Sequence, residues 1–311
     1  MTDPMQIFDP AALARNRSGA ARRVRSGDTG AEFLFDEMAD RLLDRLDDVA
    51  RPFAVALDLD SRQGLVAAGL QNRGKADTVI AADRNADFAE RCRRAGLPAV
   101  QAGHDFLPFA PGSFDLVTSC LALHWVNDLP GMLVRINRML KPDGLFQAAL
   151  FGGETLTELR TCLMDAELEV TGGVSPRVSP MVDLRDAAGL LQRAGFALPV
   201  ADVDRITVTY SSPFALMAEL RAMGEGNAIG ERLRHPTRRA VFLRAAQLYA
   251  DRHAGSDGRI PATFDIVFLH GWHPAESQPA PLRPGSAVNR LADALDGTEA
   301  PAGDSVPKKP N

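Results

Sequence analysis

Short apolar runs alternate with helix-like segments along the middle of this chain. The runs with the composition of β-strands are Phe53–Leu59, Thr78–Ala82, Ala99–Gln101, Phe114–Ser119, Gly144–Phe151, Val203–Tyr210 and Phe264–His270. Between the first five, apolar residues recur at helical spacing near Gly64–Asn72, Asp87–Ala95 and Leu129–Leu140. Strands that alternate with helices over short loops predict a parallel sheet with helices on both faces.

Further helical segments flank this alternation. They are predicted at Ala11–Arg25, Ala31–Leu46, Glu154–Glu169 and Val182–Ala194, and an insertion before the last strand holds Pro213–Met223 and Thr237–Arg252. Lys141–Gly144 predicts a turn, in which Pro142 ends a helix and Gly144 begins the next strand. We divide the chain into an N-terminal helical segment (1–50), an α/β core (51–200), C-terminal strands with the helical insertion (201–275) and a proline-rich tail (276–311) that we expect to be disordered.

Composition places the chain among soluble globular proteins. Of its 311 residues 45% are apolar and 24% are charged, and the net charge of −5 gives no reason to expect a nucleic-acid partner. Cys92, Cys120 and Cys162 are far apart, which suits a reducing compartment, and the histidines lack metal-ligand spacing, so we expect no metal site. The chain start is unlike a signal peptide and no apolar run is long enough to span a bilayer. We therefore expect a cytoplasmic protein.

The loop that follows the first strand is the most informative polar segment. It reads Asp58-Leu59-Asp60-Ser61-Arg62-Gln63-Gly64, and it stands where an α/β sheet binds nucleotides, between the carboxyl end of a strand and the start of a helix. Glycines normally let such a loop approach its ligand closely. Here only the last glycine is kept, and we expect the side chains of Asp60 and Arg62 to intrude on the ligand position.

Two more strand ends carry candidate site residues. Asp83 ends the second strand, where a carboxylate commonly accepts the ribose hydroxyls of a nucleoside, although capping of the helix from Asn85 onward is an equally good explanation. His124 and Trp125 follow the fourth strand. They either line a pocket, as a base and a stacking surface, or serve the core, with Trp125 packed and His124 hydrogen-bonded to the backbone.

Taken together, these segments resemble class I S-adenosylmethionine (SAM)-dependent methyltransferases. The resemblance rests on Ala56-Leu57-Asp58-Leu59, Asp83, Leu107-Pro108-Phe109, Ser113-Phe114-Asp115-Leu116-Val117 and Leu140-Lys141-Pro142-Asp143-Gly144. It implies a Rossmann-like, seven-stranded α/β fold with SAM as the cofactor. The candidate catalytic residues at the substrate end are then His124 and Trp125, and the candidate cofactor-binding residues are Asp58, Asp60, Arg62, Gly64, Asp83 and Asp105.

A similarity that spans nearly the whole chain points to the mitochondrial complex I assembly factor five family. It rests on Ile7-Phe8-Asp9 and on the segments 123–130, 151–156, 175–180, 223–227, 261–263 and 271–272. This family is regarded as hydroxylating an arginine of an iron–sulfur subunit of complex I, so the resemblance implies a protein substrate of that kind. Related bacterial chains are described as methyltransferases, some by similarity to the malonyl-carrier-protein methyltransferase of biotin synthesis.

The chain departs from the family pattern at two places in the cofactor pocket. The family loop reads D-x-G-x-G-x-G, whereas its first two glycines are Asp60 and Arg62 here, and Gly103 stands where many members have an adenine-binding aspartate. Asp60 places a carboxylate near the expected methionine carboxylate of SAM, at a cost on the order of a few kcal/mol unless it is paired. Arg62 either supplies that pairing or holds the ligand itself.

These departures predict weakened or lost SAM binding and leave three functions open. The first is an enzyme of the arginine-hydroxylase type. The second is a non-catalytic assembly factor that keeps the methyltransferase fold with a decayed SAM pocket. The third is a carboxyl methyltransferase that acts on a small acid or a carrier protein. A fold by itself does not choose between them.

Overall fold

The computed structural model describes residues 6–103, 106–181 and 183–279. Asp105 and residues 280–311, which make up most of the expected tail, lie outside the described residues. The described residues before Glu276 form one compact unit. In the described part of the chain, no helix is both long enough and apolar enough to cross a membrane.

All seven strands predicted from the sequence are present in one sheet. Their order is β3-β2-β1-β4-β5-β7-β6, with bounds β1 Phe53–Leu59, β2 Ala76–Asp83, β3 Ala99–Gln101, β4 Phe114–Cys120, β5 Leu140–Phe151, β6 Ala197–Tyr210 and β7 Ile260–Trp272. β1 to β5 pair in parallel, and β7 pairs antiparallel with β5 and β6. The expected α/β fold class, a seven-stranded sheet between helices, is confirmed.

The last two strands are longer than the sequence pattern predicted. β6 begins at Ala197 rather than Val203, because it pairs with β7 along its length, from Ala197 opposite Trp272 to Tyr210 opposite Ile260. The first part of β6 contains Pro199, which argues against a strand in the sequence but is tolerated here because β6 lies at the edge of the sheet.

Helices cover both faces of the sheet. Their bounds are α1 Pro10–Arg25, α2 Phe33–Asp47, α3 Leu65–Asn72, α4 Ala86–Arg94, α5 Leu129–Met139, α6 Thr157–Thr171, α7 Leu184–Arg193, α8 Pro213–Met223 and α9 Arg239–His253. The side chain of Asp9 caps α1 by accepting hydrogen bonds from the amides of Ala11 and Ala12. α1 packs against α4 and α8, two helices that begin or end beside the loops at the carboxyl ends of the strands.

The turn before β5 differs from the sequence-based expectation. α5 already ends at Met139 and β5 begins at Leu140, so Pro142 lies inside the strand and does not end the helix. Helical backbone angles are disfavoured for a residue that precedes proline. Lys141 precedes Pro142 and is therefore extended. The left-handed φ of 61° falls on Asp143. Gly144 serves another purpose, since a Cβ there would lie 2.9 Å from the carbonyl oxygen of Lys141.

Two apolar clusters form the core, one on each face of the sheet. Met38 and Leu42 of α2 pack on one face with Ala56 of β1, and Met132 of α5 packs on the other with Leu57. Side chains alternate along a strand, so Asp58 faces the same side as Ala56. Its carboxyl group therefore lies inside the apolar layer beneath α2, at the carboxyl end of β1.

Candidate functional site

The loop after β1 keeps the backbone conformation of a glycine loop. Asp60, Arg62 and Gly64 all have left-handed φ angles, of 56°, 50° and 79°. Only Gly64 has no room for a side chain, because a Cβ there would lie 2.8 Å from the side chain of Leu97. A left-handed residue other than glycine costs about 1–2 kcal/mol, so the contacts of the Asp60 and Arg62 side chains must stabilise this loop.

The side chain of Arg62 fills the cleft at the carboxyl ends of the strands. It is 4% exposed. Its Nη2 donates to both carboxylate oxygens of Glu32, at 2.9 and 3.2 Å, and its Nη1 donates to the carbonyl oxygen of Met223 at 3.0 Å. The guanidinium also stacks on the ring of Phe35, 3.7 Å from its centroid. Burial lowers the pKa of Arg62, and the charge of Glu32 opposes that shift.

Asp60 has partners other than the one proposed from the sequence. Its ion pairs are with Arg17 of α1, at 3.6 Å, and with Arg84, at 3.4 Å. Arg17 also donates to the backbone carbonyl of Asp60 at 3.1 Å. The hypothesis that Arg62 neutralises Asp60 is therefore replaced by a different pairing, because the guanidinium of Arg62 points to Glu32 and that of Arg17 reaches Asp60.

Asp83 lies at the end of β2, as the sequence predicts, but its carboxylate is already used. It is fully buried and forms an ion pair with Arg17. It also accepts hydrogen bonds from the backbone amides of Arg62, at 2.9 Å, and Asn85, at 2.7 Å. The cap of α4 is Asn85 itself, whose side chain accepts from the next turn. Asp83 thus connects α1 with the loop after β1 and with the loop before α4. A ribose would have to displace the donors from these three elements in order to bind Asp83.

The side chain of Asp58 is buried, and its carboxyl group has a raised pKa. Its Oδ1 accepts a hydrogen bond from Thr118 at 3.1 Å, whereas its Oδ2 is buried without a hydrogen-bond partner among the described residues. Burial raises the pKa of Asp58 to about 7, and the charges of Asp83 and Asp60 act in the same direction. This carboxyl group therefore keeps its proton to a much higher pH than an exposed aspartate does.

The space that remains in the cleft does not fit SAM. Among the described residues, two voids of about 20 Å³ each lie in this cleft, one between Asp58 and Arg62 and the other between Arg17, Arg62 and Glu225. A void needs about 10–15 Å³ to hold one water molecule, so each has room for about one. With Arg62 paired to Glu32 and Asp83 paired to Arg17, side chains of the chain itself fill the described part of the cleft at the loop after β1 and at the end of β2.

His124 and Trp125 both contact a residue that the sequence analysis did not single out, Glu225. His124 Nε2 and Trp125 Nε1 lie 3.1 and 2.9 Å from the same carboxylate oxygen, Oε2 of Glu225. His124 therefore hydrogen-bonds to a carboxylate and not to the backbone. Trp125 also packs edge-on against Phe8, with ring centroids 5.1 Å apart. The pocket interpretation of Trp125 gains support from its position on a cavity wall.

An apolar cavity of about 210 Å³ lies beside these three residues, and we call it the Glu225 cavity. It is lined mainly by apolar and aromatic side chains, namely Trp125, Phe151, Leu156, Leu163, Val178, Met181, Met217, Leu220, Phe242 and Phe264. Its polar lining includes Glu225, Arg177 and Arg221. Arg177 is paired with Glu167 at 2.6 Å, whereas Arg221 is exposed and has no ion-pair partner among the described residues.

Three residues of this site had no clear signal of their own in the sequence. Arg17 and Glu32 lie in helical segments whose periodicity shows only which face is buried. Glu225 lies within the family motif Met223–Asn227, but nothing in the spacing connects it to His124. Gly103, the second departure from the family pattern, is among the residues that the structure describes. A Cβ at this position would lie 3.2 Å from the Cβ of Arg84.

The fold and the first comparison define the class of protein. The methyltransferase domain family matches residues 57–148. A solved structure from Bacillus halodurans, assigned to the methyltransferases, superposes with a TM-score of 0.53 at 16% identity, covering 75% of this chain and 99% of that one. At this identity the likeness shows the fold alone. The fold is that of a class I methyltransferase, in the SAM-dependent methyltransferase superfamily.

Longer sequence similarities define the family. The mitochondrial arginine-hydroxylase NDUFAF5 of Danio rerio is 38% identical over 93% of this chain and 89% of that protein. A malonyl-acyl-carrier-protein O-methyltransferase of Laribacter hongkongensis is 36% identical over 86% of this chain and 88% of that protein. The chain belongs to the NDUFAF5 family, and the resemblance inferred from the sequence motifs is confirmed.

Proposed function

We propose that this chain is a protein-directed factor of the NDUFAF5 type, which binds an arginine side chain of a partner in the Glu225 cavity. The observation that carries the proposal is a carboxylate, that of Glu225, at the buried side of an apolar cavity. The relative named arginine-hydroxylase matches this chain over most of its length, which supports an arginine as the target. By family resemblance, the partner is an iron–sulfur subunit of respiratory complex I.

The cavity has the chemistry that an arginine side chain requires. An arginine has an apolar stem and a planar guanidinium, and the guanidinium pairs best with a carboxylate. Leu156, Leu220 and Phe264 line the cavity and suit the stem. Both hydrogen bonds of Glu225 end on Oε2, which leaves Oε1 to accept from a ligand.

We further propose that SAM binds weakly to this chain. For SAM to enter, Arg62 has to leave Glu32, and the carboxylate of Asp83 has to give up Arg17. Breaking a buried ion pair costs about 3–5 kcal/mol when one partner stays behind without a counter-charge. In this proposal Asp60, Arg62 and Asp83 close the cleft through their ion pairs, and the roles of Asp58 and Gly64 in cofactor binding stay predictions.

A second candidate function is carboxyl methylation of a carrier-bound acid. Arg221 lies on the wall of the Glu225 cavity and has no ion-pair partner in the described part of the chain, which favours a carboxylate substrate, and a relative carries the name of such a methyltransferase. The filled cleft disfavours this reaction, because it needs SAM. Formation of a methyl ester on a malonyl carrier protein incubated with SAM and this chain would establish it.

A calorimetric titration with the peptide acetyl-Gly-Arg-Gly-amide tests the first function. The matched control is the same peptide with citrulline, which keeps the shape of the side chain and removes its charge. We expect the arginine peptide to bind at least about tenfold more tightly, and Glu225→Gln to abolish the difference. Equal affinity for the two peptides, or binding of neither, would contradict the proposal.

The cytoplasmic location expected from the sequence stays a prediction. The relatives of the NDUFAF5 type carry the word mitochondrial in their names, which describes those proteins. Fluorescent tagging of this chain in the cells that produce it is the direct measurement. Diffuse cytoplasmic signal is expected, and signal at a membrane would contradict the prediction.

A further inference from the structure

Arg62 joins the loop of the cofactor cleft to the wall of the Glu225 cavity. Its side chain starts in the loop after β1 and ends between Glu32, which lies just before α2, and Met223, the last residue of α8. One planar guanidinium thereby connects three parts of the chain. An ammonium group cannot do this, because a lysine presents a point charge and not a rigid set of donors.

The carbonyl that Arg62 binds lies just before the turn that carries Glu225. After Met223, Gly224 takes a left-handed φ of 86°, and the amide of Glu225 donates back to the carbonyl oxygen of Leu220 at 2.8 Å. The last carbonyls of a helix have no partner within the helix, and a basic side chain commonly binds them. Arg62 does so from the opposite side of the cleft.

The charge of Arg62 also acts on Glu225 directly. Arg62, Arg17 and Glu225 line the same small void, and Glu225 acts to raise the pKa values of both arginines. Arg62 therefore contributes to the geometry of the turn that carries Glu225 and lies close to the carboxylate of that residue.

We propose that Arg62 is a positioning residue for Glu225, so that the former cofactor loop now holds one wall of the substrate cavity. The proposal rests on the proposed function for the identity of the ligand only. It gives the departure from the glycine pattern a purpose: the side chain that excludes SAM fixes the turn 223–225 where a cofactor is no longer present to organise the cleft.

The test uses a double variant that keeps the cleft filled without the hydrogen bond to Met223. Arg62→Met together with Glu32→Gln replaces a buried ion pair by neutral side chains of similar size, a change that proteins often tolerate. A matched control, Arg73→Met with Asp47→Asn, removes an ion pair between α2 and the end of α3. Arg62→Lys serves as a second variant, which keeps a cation beside Glu32.

The readout is the fluorescence of Trp125. The chain has two tryptophans, Trp125 and Trp272, so Trp272→Phe leaves Trp125 as the single emitter. Since Trp125 Nε1 donates to Glu225, a displaced turn 223–225 exposes the indole to water. In the Trp272→Phe background, we expect the double variant to shift the emission of Trp125 to longer wavelength. We also expect it to lower the affinity for the arginine peptide about tenfold. Arg62→Lys should give an intermediate result.

The outcomes separate this proposal from the proposed function. A folded double variant, or a folded Arg62→Lys, with unchanged Trp125 emission would overturn the positioning role. If the emission shifts while the unaltered chain does not bind the arginine peptide, the positioning role holds and the proposed ligand is wrong. An equal shift in the Arg73→Met, Asp47→Asn control would show a general loosening and would also overturn the proposal.

Discussion

Several charged side chains that line the cofactor cleft form ion pairs with one another. Glu32 pairs with Arg62, and Asp83 and Asp60 pair with Arg17. Leaving one buried charge without its partner costs about 3–5 kcal/mol. Relief of a left-handed φ at a residue other than glycine returns only about 1–2 kcal/mol. The ion pairs therefore outweigh the backbone strain, and Asp60 and Arg62 stabilise the loop despite its φ angles.

Replacing Arg62 by glycine separates these two effects. We expect Arg62→Gly to destabilise the chain by a few kcal/mol (about 2–4), because Glu32 stays buried without its counter-charge while strain is relieved. Urea denaturation measures the change in the free energy of unfolding. The matched control is Leu198→Gly, which removes a similar φ of 49° at an exposed side chain. That control should cost much less, and an equal cost for both variants would contradict the ion-pair argument.

The raised pKa of Asp58 predicts a pH-dependent stability. The folded pKa of about 7 exceeds the ordinary value of 3.8, so folding favours the protonated form. The stabilisation is present below about pH 4 and is lost as the pH rises to 7, by up to about 4 kcal/mol. Asp58→Asn imitates the protonated form and should therefore gain stability relative to the unaltered chain over this range.

Urea denaturation at several pH values between 4 and 8 checks this expectation. The free energies of unfolding of the unaltered chain and of Asp58→Asn should diverge as the pH rises. Asp77→Asn, at an exposed position of β2, controls for the loss of one carboxylate. Parallel curves for the unaltered chain and Asp58→Asn would show that Asp58 is ionised throughout.

Sequence reasoning predicted the intruding residues but not their partners. The missing glycines were visible in the loop itself, since a turn between strand and helix has a local signature. The pairing of Arg62 with Glu32 depends on how α2 and the loop are placed in space. No local pattern encodes that placement, and the hypothesis of an Asp60–Arg62 pair, the nearest opposite charges in the sequence, was wrong for this reason.

Among the helices, α1 and α8 determine how the cleft is closed. α1 is anchored along its length by ion pairs of Asp9 with Arg232, Arg17 with Asp83 and Arg25 with Asp87. The first and the third of these pairs are at the ends of the helix. The pair in the middle is the most buried of the three, so removing one of its partners costs more than removing a partner of either other pair.

A double-mutant cycle measures the contribution of that middle pair. Arg17→Met should destabilise the chain by about 3–5 kcal/mol, because Asp83 stays buried and charged. Asp83→Asn removes the charge and keeps one carbonyl oxygen, so only one of the two backbone amides that donate to Asp83, those of Arg62 and Asn85, keeps an acceptor. The double variant should therefore be less destabilised than the sum of the two single variants, by about 1–3 kcal/mol. Additive effects in urea denaturation would show that the two side chains do not interact.

Helical periodicity predicted that α1 and α8 exist but not where they pack. The apolar stripe of a helix shows which face is buried, and α1 follows this rule with Leu13, Ala20 and Val24 buried. Arg17 lies on the same buried face. The apolar periodicity of the helix does not explain why a charged residue stands there. Its role becomes visible only when α1 is seen against β2 and the loop after β1.

For the molecule as a whole, the methyltransferase fold is kept, and among the described residues the side chains of Arg17 and Arg62 lie in the cleft at the carboxyl ends of the strands. The sheet, its order and the strand ends follow from patterns that a single sequence shows, because alternating strands and helices have few allowed topologies. The apolar cavity beside the cleft depends on residues from distant parts of the chain, such as Trp125, Leu220 and Phe264. That assembly could not be predicted before the fold was known.

Calorimetric titration of the unaltered chain with SAM shows whether Arg17 and Arg62 occupy the space of the cofactor. No binding is expected below about 1 mM SAM, which corresponds to a free energy weaker than about −4 kcal/mol. The double variant Asp60→Gly, Arg62→Gly, if folded, should bind more tightly than the unaltered chain. Binding of SAM to the unaltered chain with micromolar affinity would contradict the account.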